Sequence, residues 1–483
     1  MAACVDVIVV GAGSRGSIYA HFAVEFPERM RVVGVADPNP FSRERLREQH
    51  SIEEHNALAD WRSVAQRDRF ADAVLICTPD RLHKEPAVVF ARKGYHILLE
   101  KPMAVTAEDC IEIVSVCSES QVMLAVCHVL RYLPAVQKIK ELIDSGAIGD
   151  VIHIQHLEPV GFYHFAHSFV RGNWRSEAGS SFSLLAKSCH DIDLINYWVG
   201  GRRCLKVSSF GSLCHFTKDN QPQGAADRCL SCSVEASCPY SAKKIYLDRV
   251  TRGEVGWPVS VLCCSSLPDI ESVTTALCSG PYGRCVYDCD NDVCTNQVVS
   301  MQFEGGLTAS FSMVAFTEQM CQRKTTISGS KGELSCDSGT RVRVFDFLSQ
   351  RVTEHHVDPS PPWASGLGGH GGGDFHLMDR FISAVARCDP ALILSGPEET
   401  LQSHLLVFQA ERARREGVVL SCGGEERGEE RGERGEERGE TLRGEEGEER
   451  GEEGERRDTE RGGGRGERGE ETDGEEQTTH SKR

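Results

Sequence analysis

Along the first ~125 residues, short apolar runs alternate with stretches whose apolar positions recur at helical spacing, the signature of parallel strands joined by helices. The pattern predicts strands at Val5–Val10, Arg31–Ala36, Ala73–Cys77, His96–Leu99 and Val122–Cys127. Helices are predicted between them, at Ser14–Phe26, at Leu82–Lys93 up to the stop at Gly94, and at Ala107–Ser118. The character then changes. Leu133–Ser145 reads as a helix stopped by Gly146, Val151–Leu157 as a strand, and Phe182–Val199 as one continuous helix stopped by Gly200 and Gly201. From Val207 to Val352 the runs are strand-like, including Val207–Leu213, Val298–Phe303, Leu307–Val314 and Lys324–Ile327, with glycine turns between them. Asp374 follows three glycines and reads as a helix N-cap. A helix at Thr400–Glu416 and a short run at Val418–Leu420 end the periodic part.

This pattern predicts a doubly wound α/β domain with a parallel sheet over residues 1–127. An α+β domain with a large, mostly antiparallel sheet follows over residues 128–422. From residue 423 to 483 the composition collapses to Gly, Glu and Arg. With almost no apolar surface to offset chain entropy, that tail is expected to be disordered and without a role of its own.

The formal net charge of −18 weakens as a clue once the tail is set apart, because the tail holds 23 acidic and 13 basic residues, a net −10. The remainder carries no basic stripe of the kind nucleic-acid binding needs, so no nucleic-acid partner is expected. No run approaches the ~20 apolar residues of a membrane helix. The opening residues lead straight into a glycine loop and read as a first strand rather than a leader. With 21 scattered cysteines and no secretory signal, reduced thiols and a cytoplasmic location are expected.

The strongest chemical signal is Gly11-Ala12-Gly13-Ser14-Arg15-Gly16, between a predicted strand and a predicted helix. In that setting Gly11 allows a tight turn, Gly13 lets a pyrophosphate approach the backbone, and Gly16 lets the helix pack close. The N–H groups of the first helical turn, from Ser14 onward, would receive the phosphates. Asp37, at the end of the second strand, stands where a carboxylate binds the adenosine ribose hydroxyls. It favours NAD over NADP, although Arg15 and Arg43 could both lie near a 2′-phosphate.

Cys77-Thr78-Pro79, His83 and above all Gly94-Tyr95-His96-Ile97-Leu98-Leu99-Glu100-Lys101-Pro102 resemble the glucose–fructose oxidoreductase / inositol dehydrogenase / rhizopine-catabolism (Gfo/Idh/MocA) family. The resemblance runs through Arg131-Tyr132, Ile148-Gly149 and the segment carrying His190 and Asp193, and covers roughly residues 5 to 420. It implies that Thr78, Pro79, His83, Glu100 and Lys101 serve the cofactor. It also implies hydride transfer between NAD(P) and a carbinol carbon of a sugar, cyclitol or related polyol, and a homodimer or homotetramer formed through the second sheet. Lys101 at a strand end and His190 are the expected catalytic pair, with His190 as base and Lys101 as donor to the reacting oxygen. Where many members have an aspartate four residues before the histidine, this chain has Ala186, followed by Lys187. Lys187 is expected on the His190 face of one helix, lowering the imidazole pKa.

Arg131, Tyr163, Trp174, Lys187 and Asp193 are the expected substrate residues, with His164 beside Tyr163. Cys229, Cys232 and Cys238 have spacing that suits part of a structural zinc site. Two other readings stay open: a glycoside-cleaving enzyme that oxidises its sugar transiently with bound NAD, and a cofactor sensor without catalysis.

Overall fold

The computed structural model describes residues 4–263, 267–337, 339–358, 367 and 369–422. The expected tail lies outside the described residues. Six parallel strands form the first sheet: β1 (Val5–Val10), β2 (Met30–Ala36), β3 (Ala57–Leu58), β4 (Ala73–Ile76), β5 (His96–Leu99) and β6 (Leu124–Val126), in the order β3-β2-β1-β4-β5-β6. Helices cover both faces, which is why β1, β4 and β5 are almost wholly apolar rather than alternating. The order reverses beside β1, and the carboxyl ends of β1, β2, β4 and β5 open on one crevice.

The second sheet has nine strands: β7 (Val151–Pro159), β8 (Cys204–Ser212), β9 (Asn296–Phe303), β10 (Thr308–Val314), β11 (Lys324–Gly329), β12 (Gly332–Cys336), β13 (Arg341–Asp346), β14 (Val352–His356) and β15 (Leu420–Ser421). Their order is β14-β13-β12-β11-β7-β10-β9-β8-β15, antiparallel except where β10 runs parallel to β7. β9 and β10 alternate buried and open positions, as a sheet covered on one face requires. The covering layer includes the helices Cys189–Trp198 and Pro397–Glu416.

Three sequence expectations change. The helix read over Phe182–Val199 is two, Ser183–Ala186 and Cys189–Trp198, broken at Lys187 and Ser188. The stretch between β8 and β9, read as strand-rich, is instead an insertion of short helices with its own core of Ala242, Tyr246, Val259, Val273 and Leu277. Asp374 lies inside the first turn of the helix Gly373–Arg387, whose N-cap is Gly372.

That helix and the next return to the first sheet. Arg29 bonds Asp379 at 2.7 Å, and the backbone N–H of Met103 donates to His404 Nε2 at 2.9 Å.

Candidate active site

The glycine loop follows β1 directly. Gly11 has φ +96°, and a Cβ there would stand 2.5 Å from the Cys77 carbonyl oxygen, so only glycine fits between the two strand ends. A Cβ on Gly16 would stand 2.0 Å from the Gly11 carbonyl oxygen, which fixes the close approach of helix to loop. Gly13 is different: a Cβ there meets nothing within 4 Å and would project into open space. Among the described residues no side chain caps the helix Ser14–Ala20 that begins next, so its first N–H groups stay available to an anion. The Asp37 carboxylate accepts from the N–H of Ala12 at 2.6 Å and of Asn39 at 2.7 Å, while Arg43 donates to its backbone carbonyl at 2.6 Å. These features form a cradle of open backbone and N–H donors with the Asp37 carboxylate at one end.

The cradle opens into a cavity of about 840 Å³ that runs from Asp37 and Trp61, past Gly11, Gly13, Ser14, Thr78 and Pro79, to Lys101, His190 and Lys187. Most of the expected cofactor residues line it, with two corrections. His83 is not among the lining residues. Buried, it lies with Nε2 2.8 Å from the Thr78 carbonyl and Nδ1 2.7 Å from the Pro102 carbonyl, a strut between the two strand ends. Arg15 borders the cavity, yet its guanidinium is held by Glu100 at 2.7 Å, Asp374 at 2.6 Å and the Tyr19 hydroxyl at 2.6 Å. Those partners commit it to the packing of the helix Gly373–Arg387, not to a 2′-phosphate.

Burial works against the Glu100 charge, but Arg15 and Lys101 outweigh it and hold the carboxyl below its usual range. Asp374 behaves alike: burial raises it, and Arg15 and His370 pull it down further.

At the other end, the helix break explains how Lys101 is held. The carbonyl of Ala186 ends a helix and is free to accept a bond from the Lys101 ammonium, at 2.9 Å. The same ammonium lies 5.8 Å from the Trp174 ring centroid, and among the described residues it has no ion-pair partner. Asp80, buried, fixes Trp174 by accepting from Nε1 at 3.0 Å and also accepts from the Ser180 hydroxyl at 2.6 Å.

His190 is 5% exposed and lines the cavity, and among the described residues its buried Nδ1 has no bonding partner. Burial, then the nearby Lys101 and His128, push its pKa well below the usual histidine value, so the ring is neutral. The cation beside His190 is therefore Lys101, where the sequence pointed to Lys187.

The Lys187 ammonium turns instead to Glu158 at 3.2 Å and Cys321 Sγ at 3.0 Å. Burial opposes its charge; Cys321 and Glu158 more than offset that, and the ammonium persists. Glu158 is shared with Arg323 at 3.2 Å, which also holds Asp191 at 2.6 Å.

Other expected substrate residues fall elsewhere. Arg131 and Asp193 form a buried bidentate pair, 2.6 and 2.7 Å, that Ser403 joins at 2.9 Å. It fastens the helix Cys189–Trp198 to its neighbours and does not border the cavity. Tyr163 also lies off the cavity, its hydroxyl 3.0 Å from Met320 Sδ, although the adjacent His164 lines it. Cys229 faces the Arg171 guanidinium at 3.4 Å. Among the described residues no three His, Cys, Asp or Glu side chains stand together as a metal site, the Cys229, Cys232 and Cys238 run included.

Sequence reasoning missed Asp80, His167 and His370, all of which line the cavity. The i, i+3 spacing of His164 and His167 was the available signal for one of them.

Comparison with known proteins adds the following. Residues 5–128 match the model of an oxidoreductase family with an NAD-binding Rossmann fold, GFO_IDH_MocA, and residues 136–230 match the GFO/IDH/MocA C-terminal domain. The chain is 27% identical to the putative oxidoreductase YteT of Bacillus subtilis over 348 residues, 68% of this chain and 76% of that protein. It is 28% identical to a 2,7-anhydro-N-acetylneuraminate hydratase of Escherichia coli over 192 residues, 40% of this chain and about half, 49%, of that protein. A solved levoglucosan dehydrogenase in complex with NADH and L-sorbose has a TM-score of 0.63 at 18% identity, over 87% of this chain and 99% of its own. At that identity the likeness is one of fold.

Proposed function

The chain belongs to the Gfo/Idh/MocA family of NAD-binding oxidoreductases, and on that premise we propose that it transfers hydride between NAD and a carbinol carbon of a sugar, cyclitol or related polyol. The observation that carries this reading is that Lys101 and His190 border the same cavity as the Gly11–Gly13 cradle. The names of the levoglucosan dehydrogenase and of a 1,5-anhydro-D-fructose reductase among the relatives support a sugar-like substrate.

When bound, the nicotinamide supplies the hydride acceptor or donor. The chain's own residues do the rest. Neutral His190 takes the hydroxyl proton at Nε2. Lys101, positioned by the Ala186 carbonyl, donates to the reacting oxygen and stabilises the charge that develops there. Trp174 offers an aromatic face beside that ammonium. Asp37 favours NAD, because a 2′-phosphate would meet a carboxylate.

The test is a sugar, cyclitol and polyol panel with NAD and NADP, read at the absorbance of the reduced nicotinamide. Lys101→Ala and His190→Ala should each lose turnover while keeping NADH affinity. Wild-type turnover by either variant removes that residue from the mechanism, and failure of both cofactors to bind removes the reading.

The open face of the nine-stranded sheet is our choice of subunit interface. Phe210 (70% exposed) and Val298 (43%) are cross-strand partners on it, and Ile152 (53%) is exposed on β7 of the same sheet. Light scattering should give a dimer or tetramer that Phe210→Glu weakens; a wild-type monomer at micromolar concentration would refute it.

A further inference from the structure

The cavity that Lys101 and His190 line has a wall that the insertion between β8 and β9 helps to build. Two of its residues, Val261 and Tyr282, line the cavity there. The family models end at residue 230, so these two side chains come from outside the matched region.

Tyr282 meets the turn Ala166–Arg171, a π-helical segment of the kind that often re-aims side chains at functional sites. His167, on that turn, stacks on the Tyr282 ring at 4.9 Å and 16°. Its Nδ1 lies 2.9 Å from the Tyr246 hydroxyl, which fixes the ring and leaves Nε2 for the cavity. His167 is 3% exposed and lines the cavity. Burial first, then Arg171, pushes its pKa down to about 3, and the ring is neutral.

His164 stands between this wall and Lys187. Trp257 of the insertion meets His164 and His167 edge-on, at 4.9 and 5.2 Å, and holds both rings in place.

Neutral imidazoles beside flat aromatic rings are what a carbohydrate ring needs: hydrogen bonds for its hydroxyls and apolar faces for its C–H groups. Trp174, Lys101 and His190 already supply these for the ring that reacts. His167, Tyr282 and Val261 supply a second set in the same cavity. We infer that the insertion forms an outer sugar subsite, and that the preferred substrate is a glycoside or disaccharide whose terminal ring reacts while the attached ring lies against Tyr282 and His167.

The inference rests on the proposed hydride-transfer reading. It is tested with a free hexose, its phenyl glycoside and the corresponding disaccharide, each with NAD. The wild-type kcat/KM for one of the two larger probes should exceed that for the free hexose by roughly tenfold or more. Tyr282→Ala should bring the ratio close to one. Val261→Trp, which fills the outer subsite, should do the same and carries the test if Tyr282→Ala does not fold.

Equal kcat/KM for all three probes, or an unchanged ratio in Val261→Trp, overturns the subsite. NADH binding without turnover of any probe also overturns it. Absence of NADH binding by the wild-type protein would instead bring down the reading of the cleft on which the subsite depends.

Discussion

Gly13→Ala separates a role in folding from a role in holding the dinucleotide. At φ −70° and ψ −161° the Gly13 backbone is open to any L residue, and the added methyl would touch nothing within 4 Å. Without cofactor, the variant should be as stable as wild type or gain about 0.4–1 kcal/mol, because alanine restricts the unfolded chain. On the proposed reading the methyl stands where the pyrophosphate comes close, and losing even ~1.4 kcal/mol there weakens binding roughly tenfold. Ligand linkage makes the two effects visible together. At NADH about 100-fold above the wild-type Kd, the wild-type protein gains ~2.7 kcal/mol of stability and a tenfold weaker variant ~1.4. Urea melts with and without NADH, alongside a fluorescence titration, measure both. An NADH Kd within about twofold of wild type, ~0.4 kcal/mol, would mean that the dinucleotide does not lie over this loop. Gly16→Ala is the contrasting case: its methyl would collide with the Gly11 carbonyl, so stability should fall before any cofactor is added.

Two further outcomes follow from the charges. His128 is fully buried and, chiefly through burial, its pKa is pushed down to about 3. The unfolded chain takes up its proton near pH 6.5, so the stability from this group is complete above that pH and is lost as the pH falls toward 3. Moving from pH 7.5 to 5.0 should cost ~2 kcal/mol for this group, and His128→Phe should be less acid-sensitive by that amount in urea melts. An equal loss in both proteins would show that the imidazole is not held neutral. Asp374→Ala leaves Arg15 with Glu100 as its one acid, beside the Tyr19 hydroxyl, and should destabilise the protein by ~3 kcal/mol, the lower end for a buried pair because Arg15 is partly exposed. A change below ~1 kcal/mol would show that the contact adds little.

The parts legible in the sequence were those whose physics is local. β1 and β5 have the predicted bounds because a strand covered on both faces is apolar throughout, and the glycine loop was readable because each glycine answers a separate local demand. Lys101 and His190 were found through a resemblance plus the rule that strand ends face the crevice.

What failed was partner choice. Arg131 and Asp193 lie 62 residues apart and neutralise each other, which no local pattern reveals. Arg15 appeared free for a phosphate because its acid, Asp374, lies 359 residues downstream. The helix break at Lys187 escaped notice because the flanking apolar spacing is continuous. The insertion was misread because its short apolar runs carry too few turns of periodicity to separate helix from strand.

The link between Arg15 and Asp374 also sets an order of events during synthesis. A nascent chain can complete the first sheet once residue ~126 has emerged, since all six strands are then present. The side chain that completes the hold on Arg15, however, leaves the ribosome almost 250 residues later. Until then Arg15, which borders the cavity, lacks one of its two acids, and the early product is a folded sheet with that side chain only partly held. Ribosome-bound chains arrested on either side of residue 374 should therefore differ sharply in their capture by an immobilised dinucleotide.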